Sequence, residues 1–374
     1  MAMMGVGCDS SGGDTATGSA ASNPAAASAP GKDADAEQVF IPGGIAVAMC
    51  SDGRSSDSVA QLVTTSVAAD TGRPATFHRV ALPGGTVGLE HLCGDLLGSR
   101  YSQPMMRALL NRELTAIAGT APGPGNQGAQ ATAYDLRTGA SYTAADPDAF
   151  GSVARDSLVQ FQPGTDILWS RTADGRITSR DVTAPPAAQV DQGAAPARAF
   201  VLHGNTAWLT PAVNGSPVPA AVNPSGTAAV ASDTFSGSGV YLWRAGEDYQ
   251  TRNLRIGGMF RAVPGSQTVP GDCRIRFWRD DTRFVCENQH GMLQVTLAAS
   301  YDRVDAVQPL LPPNEGGNTE ATLSADGTRM AFLAYRAGDW ALFTLDLTHP
   351  GAVPVKLSDM PSFLGATPHI VAWE

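Results

Sequence analysis

What this sequence lacks narrows its function before anything it contains is considered. Charged residues make up only 16% of 374 positions, and 25 basic against 35 acidic side chains give a formal net charge of −10. No Lys/Arg cluster interrupts that acidic background, so the electrostatic footprint that grips a nucleic-acid backbone is missing and no nucleic-acid partner is expected. No stretch reaches the roughly eighteen apolar residues of a spanning helix. Cys-x-x-Cys and His-Glu-x-x-His are absent, and the histidines at 78, 91, 203, 290, 349 and 369 stand in no other metal spacing. No metal or other cofactor is therefore expected, and each histidine reads as a loop or strand-edge residue. Gly-x-Ser-x-Gly is absent too. The nearest string, FSGSG at 235–239, reads as a hairpin loop, and no α/β segment exists to carry a hydrolase sheet.

Turn formers, in contrast, are plentiful: 41 Gly and 26 Pro, the bias of a chain with many short strands and few long helices. Closed all-β folds take this length as one domain. Of five cysteines, Cys8 stands in a polar tail, and Cys50, Cys93, Cys273 and Cys286 lie in the folded part. Cys273 and Cys286 bracket CRIRFWRDDTRFVC, a strand, polar turn and strand that bring the ends together, so they are the expected pair. Cys50 would then meet Cys93. Four cysteines allow three connectivities, and four reduced, buried thiols are the other reading.

Residues 9–36 are almost wholly Ser, Gly, Ala, Thr, Pro and Asp, too polar to bury the surface that ordering requires. Residues 1–36 are thus expected to be a signal remnant and flexible tether, with one folded domain over 37–374. Gly5-Val6-Gly7-Cys8 ahead of that tether resembles the end of a bacterial lipoprotein signal, in which Cys8 is the lipidated residue. The resemblance implies an extracytoplasmic protein, either held to the outer face of the cell membrane by a lipid anchor only or secreted.

Repeats organise the folded part. The clearest unit is 321–359. Ser324-Ala325-Asp326-Gly327 is a tight turn, Met330–Leu333 a buried strand, Arg336–Asp339 a second turn, Trp340–Leu347 a third strand and Val353–Leu357 a fourth. Weaker copies place the residue after the first turn at 54, 113, 165, 227 and 282, against 328 in the clearest unit. This unit, with its Asp346-Leu347 ending, resembles the TolB-type, WD40-like propeller repeat, with Ala325 where that family usually has Pro. The chain as a whole resembles a propeller lipoprotein of the actinobacterial type. The resemblance implies an all-β propeller of four-stranded blades, six in number with seven next, since RAFVLHGNTAWL at 198–209 supplies extra strand. The terminal HIVAWE, an orphan strand, is expected to complete the first blade.

Candidate chemistry is sparse. Asp272, Asp280, Asp281 and Glu287 cluster as a glycosidase pair would, but in and around a turn they read as solvated acids. The Gly-rich run at 121–130 reads as a hairpin loop. Trp169, Trp208, Trp243, Trp278 and Trp340 recur about once per repeat near Arg residues, as packing between blades or as an interface. Trp278, Arg279, Trp243 and Arg244 are the candidate binding surface. The sequence is thus read as a non-catalytic propeller binding a protein or cell-envelope ligand. A glycosidase- or lactonase-like enzyme and a structural scaffold are the alternatives.

The lipid-anchor expectation predicts that codons upstream of Met1 encode a basic, then apolar, segment ending at Gly7. An upstream frame without one removes it.

Overall fold

The computed structural model describes residues 40, 43–50, 59–74, 77–83, 103–122, 129–142, 159–162, 164–171, 176–182, 190–194, 199–202, 206–209, 218–233, 239–244, 254–255, 273–288, 291–311, 314, 316–360 and 367–374. Almost all are in antiparallel sheets. The first sheet holds β1 (Gly44–Cys50), β2 (Val59–Ala68), β3 (His78–Pro83) and β24 (Pro368–Trp373), in the order β24-β1-β2-β3. The second pairs β4 (Ala116–Pro122) with β5 (Ala129–Asp135). The third runs β6 (Val159–Phe161), β7 (Ile167–Arg171), β8 (Arg176–Asp181) and β9 (Val190–Ala194). The fourth runs β10 (Ala199–Leu202), β11 (Thr206–Leu209), β12 (Val218–Val222), β13 (Ala228–Asp233), β14 (Gly239–Arg244) and β15 (Leu254–Arg255). The fifth holds β16 (Arg274–Trp278), β17 (Arg283–Asn288), β18 (Gly291–Leu297) and β19 (Val304–Pro309). The sixth holds β20 (Asn318–Leu323), β21 (Arg329–Arg336), β22 (Asp339–Asp346) and β23 (Val355–Met360).

The turn that opens each repeat explains the spacing of these sheets. Asn223 caps its own turn: its Oδ1 accepts from the backbone N of Thr227 and Ala228, at 2.8 and 2.9 Å. Asn111 does the same for Thr115 and Ala116, and the Ser324 hydroxyl accepts from Arg329 N. One residue in each turn takes the left-handed conformation, namely Leu114, Gly226 and Gly327. Glycine fits there without the strain a Cβ brings. The caps also reach the next sheet, since Asn111 Nδ2 donates to Asp166 and Asn223 Nδ2 to the Asp281 carbonyl. The second turn of the last repeat closes on Ala337 and Gly338, both with positive φ, and sets Arg336 opposite Asp339.

Neighbouring sheets bury side chains against one another in sequence. Leu62 and Val80 meet Ile117 and Tyr134; Ala118 and Ala133 meet Phe161 and Leu168; Val230 and Leu242 meet Trp278 and Phe284. Phe277 and Val285 meet Met330 and Phe332, and Leu333 and Leu342 meet Ile45, Val67 and Ile370. The last of these contacts brings the sixth sheet back to the first, so the sheets form a propeller-like ring. Four of them are four-stranded blades. The segment 198–209 forms no blade of its own, because β10 and β11 make a hairpin that extends β12 into a six-stranded sheet.

HIVAWE completes the first blade as expected: β24 pairs with β1, Ile45 opposite Trp373 and Val47 opposite Ile370. Cys273 and Cys286 are bonded, with Cα atoms 5.4 Å apart. Cys50 is also in a disulfide, while Cys8 and Cys93 lie outside the described residues. The tether, the turn at 51–58, and residues 123–128 and 234–238 lie outside them too. No helix among the described residues is long and apolar enough to cross a membrane.

Deleting residues 369–374 strips β1 of its ladder partner and uncovers the face that the buried Ile370 and Trp373 cover. Each large side chain contributes about 1.5–3 kcal/mol against a total of about 5–15 kcal/mol. The truncated chain is expected to melt far lower or aggregate; a melting temperature unchanged within about a degree would show that the ring closes otherwise.

Candidate functional site

The innermost strands of successive sheets approach one another at the centre of the ring, β12 beside β16, β16 beside β20 and β20 beside β24. A six-residue helix, Gln103–Ala108, approaches all four of these strands. Arg107 fastens it there, donating from Nε to Glu374 Oε1 and from Nη1 to the carbonyls of Leu110 and Asn111. Glu374 follows the end of β24, so this latch marks one end of the ring's centre.

Where β24 begins, charged side chains converge. Arg276 projects from the middle of β16 and is 1% exposed. Its Nη2 donates to Glu287 Oε1 and lies 3.6 Å from Glu320 Oε1. Thr319 Oγ1 donates to Glu287 Oε1 at 2.9 Å, and the backbone N of Glu320 donates to Glu287 Oε2 at 3.0 Å. The other end of the cluster is His369, whose Nδ1 lies 3.1 Å from Glu320 Oε1. Arg274 stands at the edge, 3.9 Å from Glu287. Three sheets thus supply one cluster: the fifth gives Arg276 and Glu287, the sixth Thr319 and Glu320, the first His369.

A bulge makes the arrangement possible. The β20–β21 register shifts between Thr319 and Thr322, and Glu320 takes a φ of 60°. A non-glycine residue there is strained by about 1–3 kcal/mol, and such strain persists where the surroundings hold it. Here the distortion aims both the Glu320 amide at Glu287 and the Glu320 carboxylate at His369. Burial lifts the Glu287 carboxyl above its ordinary range; the Arg276 guanidinium opposes that shift and the Glu320 charge adds to it.

The structure corrects two expectations here. His369 is no loop or edge residue but a buried member of an inner strand, 2% exposed. Glu287 is no solvated turn acid, because it lies within β17, 3% exposed, and accepts from Arg276 on the neighbouring inner strand β16. The other acids match a turn role: Asp280 accepts from the amides of Thr282 and Arg283, and Asp281 accepts from Ser225 N across the sheets. Asp272 lies outside the described residues. His349 is exposed beside Asp346, and His78 bonds the Arg137 carbonyl. His91, His203 and His290 lie outside the described residues.

Trp278 is buried and donates to the Ala221 carbonyl of the preceding sheet. Arg279 bonds Gln294 and the Leu347 carbonyl, and Arg244 bonds the Ser300 carbonyl; Trp243 is half-buried. Trp169 is buried and Trp340 lies against Tyr335, while the Trp208 side chain is not described.

No family model matches the sequence, and no curated protein does. Among solved structures, the chain is similar to a Bacteroides fragilis protein provisionally named a 6-phosphogluconolactonase, at 14% identity over 85% of this chain and 82% of that one, with a TM-score of 0.36. It is similar to the β-propeller domain of the Trilobed protease from Pyrococcus furiosus, at 9% identity over 83% and 98% of the chains, TM-score 0.36. It also resembles an acylaminoacyl peptidase, at 10% identity over 83% and 52%, TM-score 0.33. The likeness is one of fold. The expectation that the chain is no enzyme is withdrawn; two of these solved chains are named as enzymes.

Removing one member of a buried ion network leaves its partners uncompensated, at a cost of about 3–5 kcal/mol. Arg276→Met, which strands Glu287 and Glu320 together, is expected to lower the unfolding free energy by that amount in denaturant titration. A change under about 0.5 kcal/mol would show that water reaches the carboxylates.

Proposed function

We propose that this chain is a hydrolytic propeller enzyme of the lactonase-like class, with His369 as general base. The observation that supports it is the hydrogen bond between His369 Nδ1 and the buried Glu320 carboxylate. A carboxylate facing Nδ1 keeps the proton there and leaves the lone pair on Nε2, the nitrogen that makes no hydrogen bond to Glu320. In the reaction Nε2 takes a proton from water as the water oxygen bonds to the lactone carbonyl carbon. The carbonyl electron pair moves to its oxygen, then returns to expel the ring alkoxide, which takes the proton back from Nε2. Lactone and water become one hydroxy acid.

The other members of the cluster are positioning residues. Arg276 holds Glu320 through charge, Glu287 accepts from the Glu320 backbone N, and Thr319 donates to Glu287. The His369 side chain is only 3% exposed, so substrate reaches it only as the centre of the ring opens, and slow turnover is expected. The finer features of the reading belong to this proposal as well. They are a six-bladed ring, one blade per repeat; kinship to the TolB-type repeat through Ser324–Gly327 and Asp346-Leu347; and display outside the cell on a tether lipidated at Cys8.

The test is hydrolysis by the purified chain across a panel of lactones and glycosides, compared with His369→Gln, which keeps a donor toward Glu320. The variant should lose about 10²–10⁴-fold in kcat while melting within a few degrees of the parent. Wild-type protein that opens no lactone, or a variant that turns over like the parent, would overturn the reading.

A further inference from the structure

A groove of about 970 Å3 lies along the face of the sixth sheet that looks toward the fifth. Alternation along the strands creates it. On β21, Met330 and Phe332 face the fifth sheet and pack on Phe277 and Val285, as Phe343 and Leu345 do from β22. One step further along, the same face carries Ala334 directly opposite Ala341. Two methyl groups stand where two large side chains would have continued the packing, so the sheets part there. The half-buried Phe343 ring, stacked 5.6 Å from the buried Phe332 ring and inclined to it by 17°, is left at the floor, and Leu311 lines a side.

The polar rim is uneven. Lys356 is paired with Asp359. Arg336 is exposed at the open end and has no ion pair among the described residues, although Asp339 stands opposite it across the turn. At the inner end the groove meets Asn318, the residue before Thr319 of the buried cluster. A ligand lying in it would have its far end at Arg336 and its near end beside the centre of the ring.

We infer that this groove binds small molecules with a flat apolar ring and a carbonyl or carboxylate group, which makes aryl lactones and their ring-opened acids the substrate class. The Phe343 ring at the floor receives a planar ring through offset contact, and the volume lies within the range of small-ligand sites. The guanidinium supplies donors to an acceptor oxygen and no acceptor of its own, which disfavours an ammonium end. The two alanines are the specificity determinants, because any longer side chain there refills the notch. The assignment of a lactone as the bond cleaved rests on the hydrolytic reading above; the binding itself does not.

Calorimetric titration with the ring-opened acid of dihydrocoumarin tests the groove without requiring turnover. The parent chain should bind it saturably. Ala334→Leu and Ala341→Leu should each weaken binding at least tenfold with the melting temperature retained. Arg336→Gln, on the exposed rim, should weaken the acid severalfold and leave its neutral amide unaffected. No saturable binding by the parent, or unchanged affinity in Ala334→Leu, would overturn the groove assignment. Binding with this pattern but no opening of dihydrocoumarin by the parent would retire the hydrolytic reading and the lactone class with it, leaving a site for aryl acids.

Discussion

The rest of the structure depends on one buried guanidinium. Arg276 sits on a strand at the centre of the ring with almost no contact with water, and taking such an ion out of solvent costs several kcal/mol even after relaxation. Only carboxylates close at hand can offset that, so Glu287 and Glu320 must converge on it. Glu287 reaches it along its own sheet, because Arg274 and Glu287 are opposite one another in the β16–β17 ladder. Glu320 comes from the next sheet and needs the β20 bulge to do so. His369 then enters from the chain's last strand. The constraint that satisfies one charge therefore registers three sheets against each other and places the terminal strand.

That economy gives the ring two kinds of joint. Apolar joints between sheets, such as Leu333 and Leu342 against Ile45 and Val67, supply non-directional burial. Polar joints supply register: the Asn111 and Asn223 caps at the turns, the Arg107 latch on Glu374, and the central cluster. The groove beside Ala334 and Ala341 is the place where the apolar joint is interrupted, and it adjoins the polar one.

How much of this could be read from the sequence differs by element. The last blade was legible nearly residue by residue, because Ser324–Gly327 and Arg336–Asp339 carry turn chemistry that acts locally. The disulfide was legible from the hairpin between its cysteines, and the closing strand from an apolar run with no partner near it in sequence. The blade boundaries near 198–209 were not, since a hairpin can join either neighbouring sheet and local pattern does not choose. The central cluster was not legible because its members lie far apart along the chain, at 276, 287, 319, 320 and 369. Its signal was present as misfits. Arg276 interrupts the apolar run Ile275–Trp278, Glu287 follows the buried Phe284–Cys286, and His369 opens HIVAWE. Read singly, each is an edge residue; only the sheet order shows that they face one another. The proposed catalytic role turns on the same point, since a motif within a short window cannot show a site assembled from three sheets.

The account stands on coupling between the two ends of that cluster, which lie on the fifth and first sheets and meet through Glu320. A double-mutant cycle of Arg276→Met and His369→Leu, the second removing the bond to Glu320, read as unfolding free energy, measures it. Members of one connected network are expected to depart from additivity by about 0.5–3 kcal/mol. Effects that sum to within about 0.3 kcal/mol would mean that Arg276 and His369 act separately, and would contradict a single cluster binding the ring together.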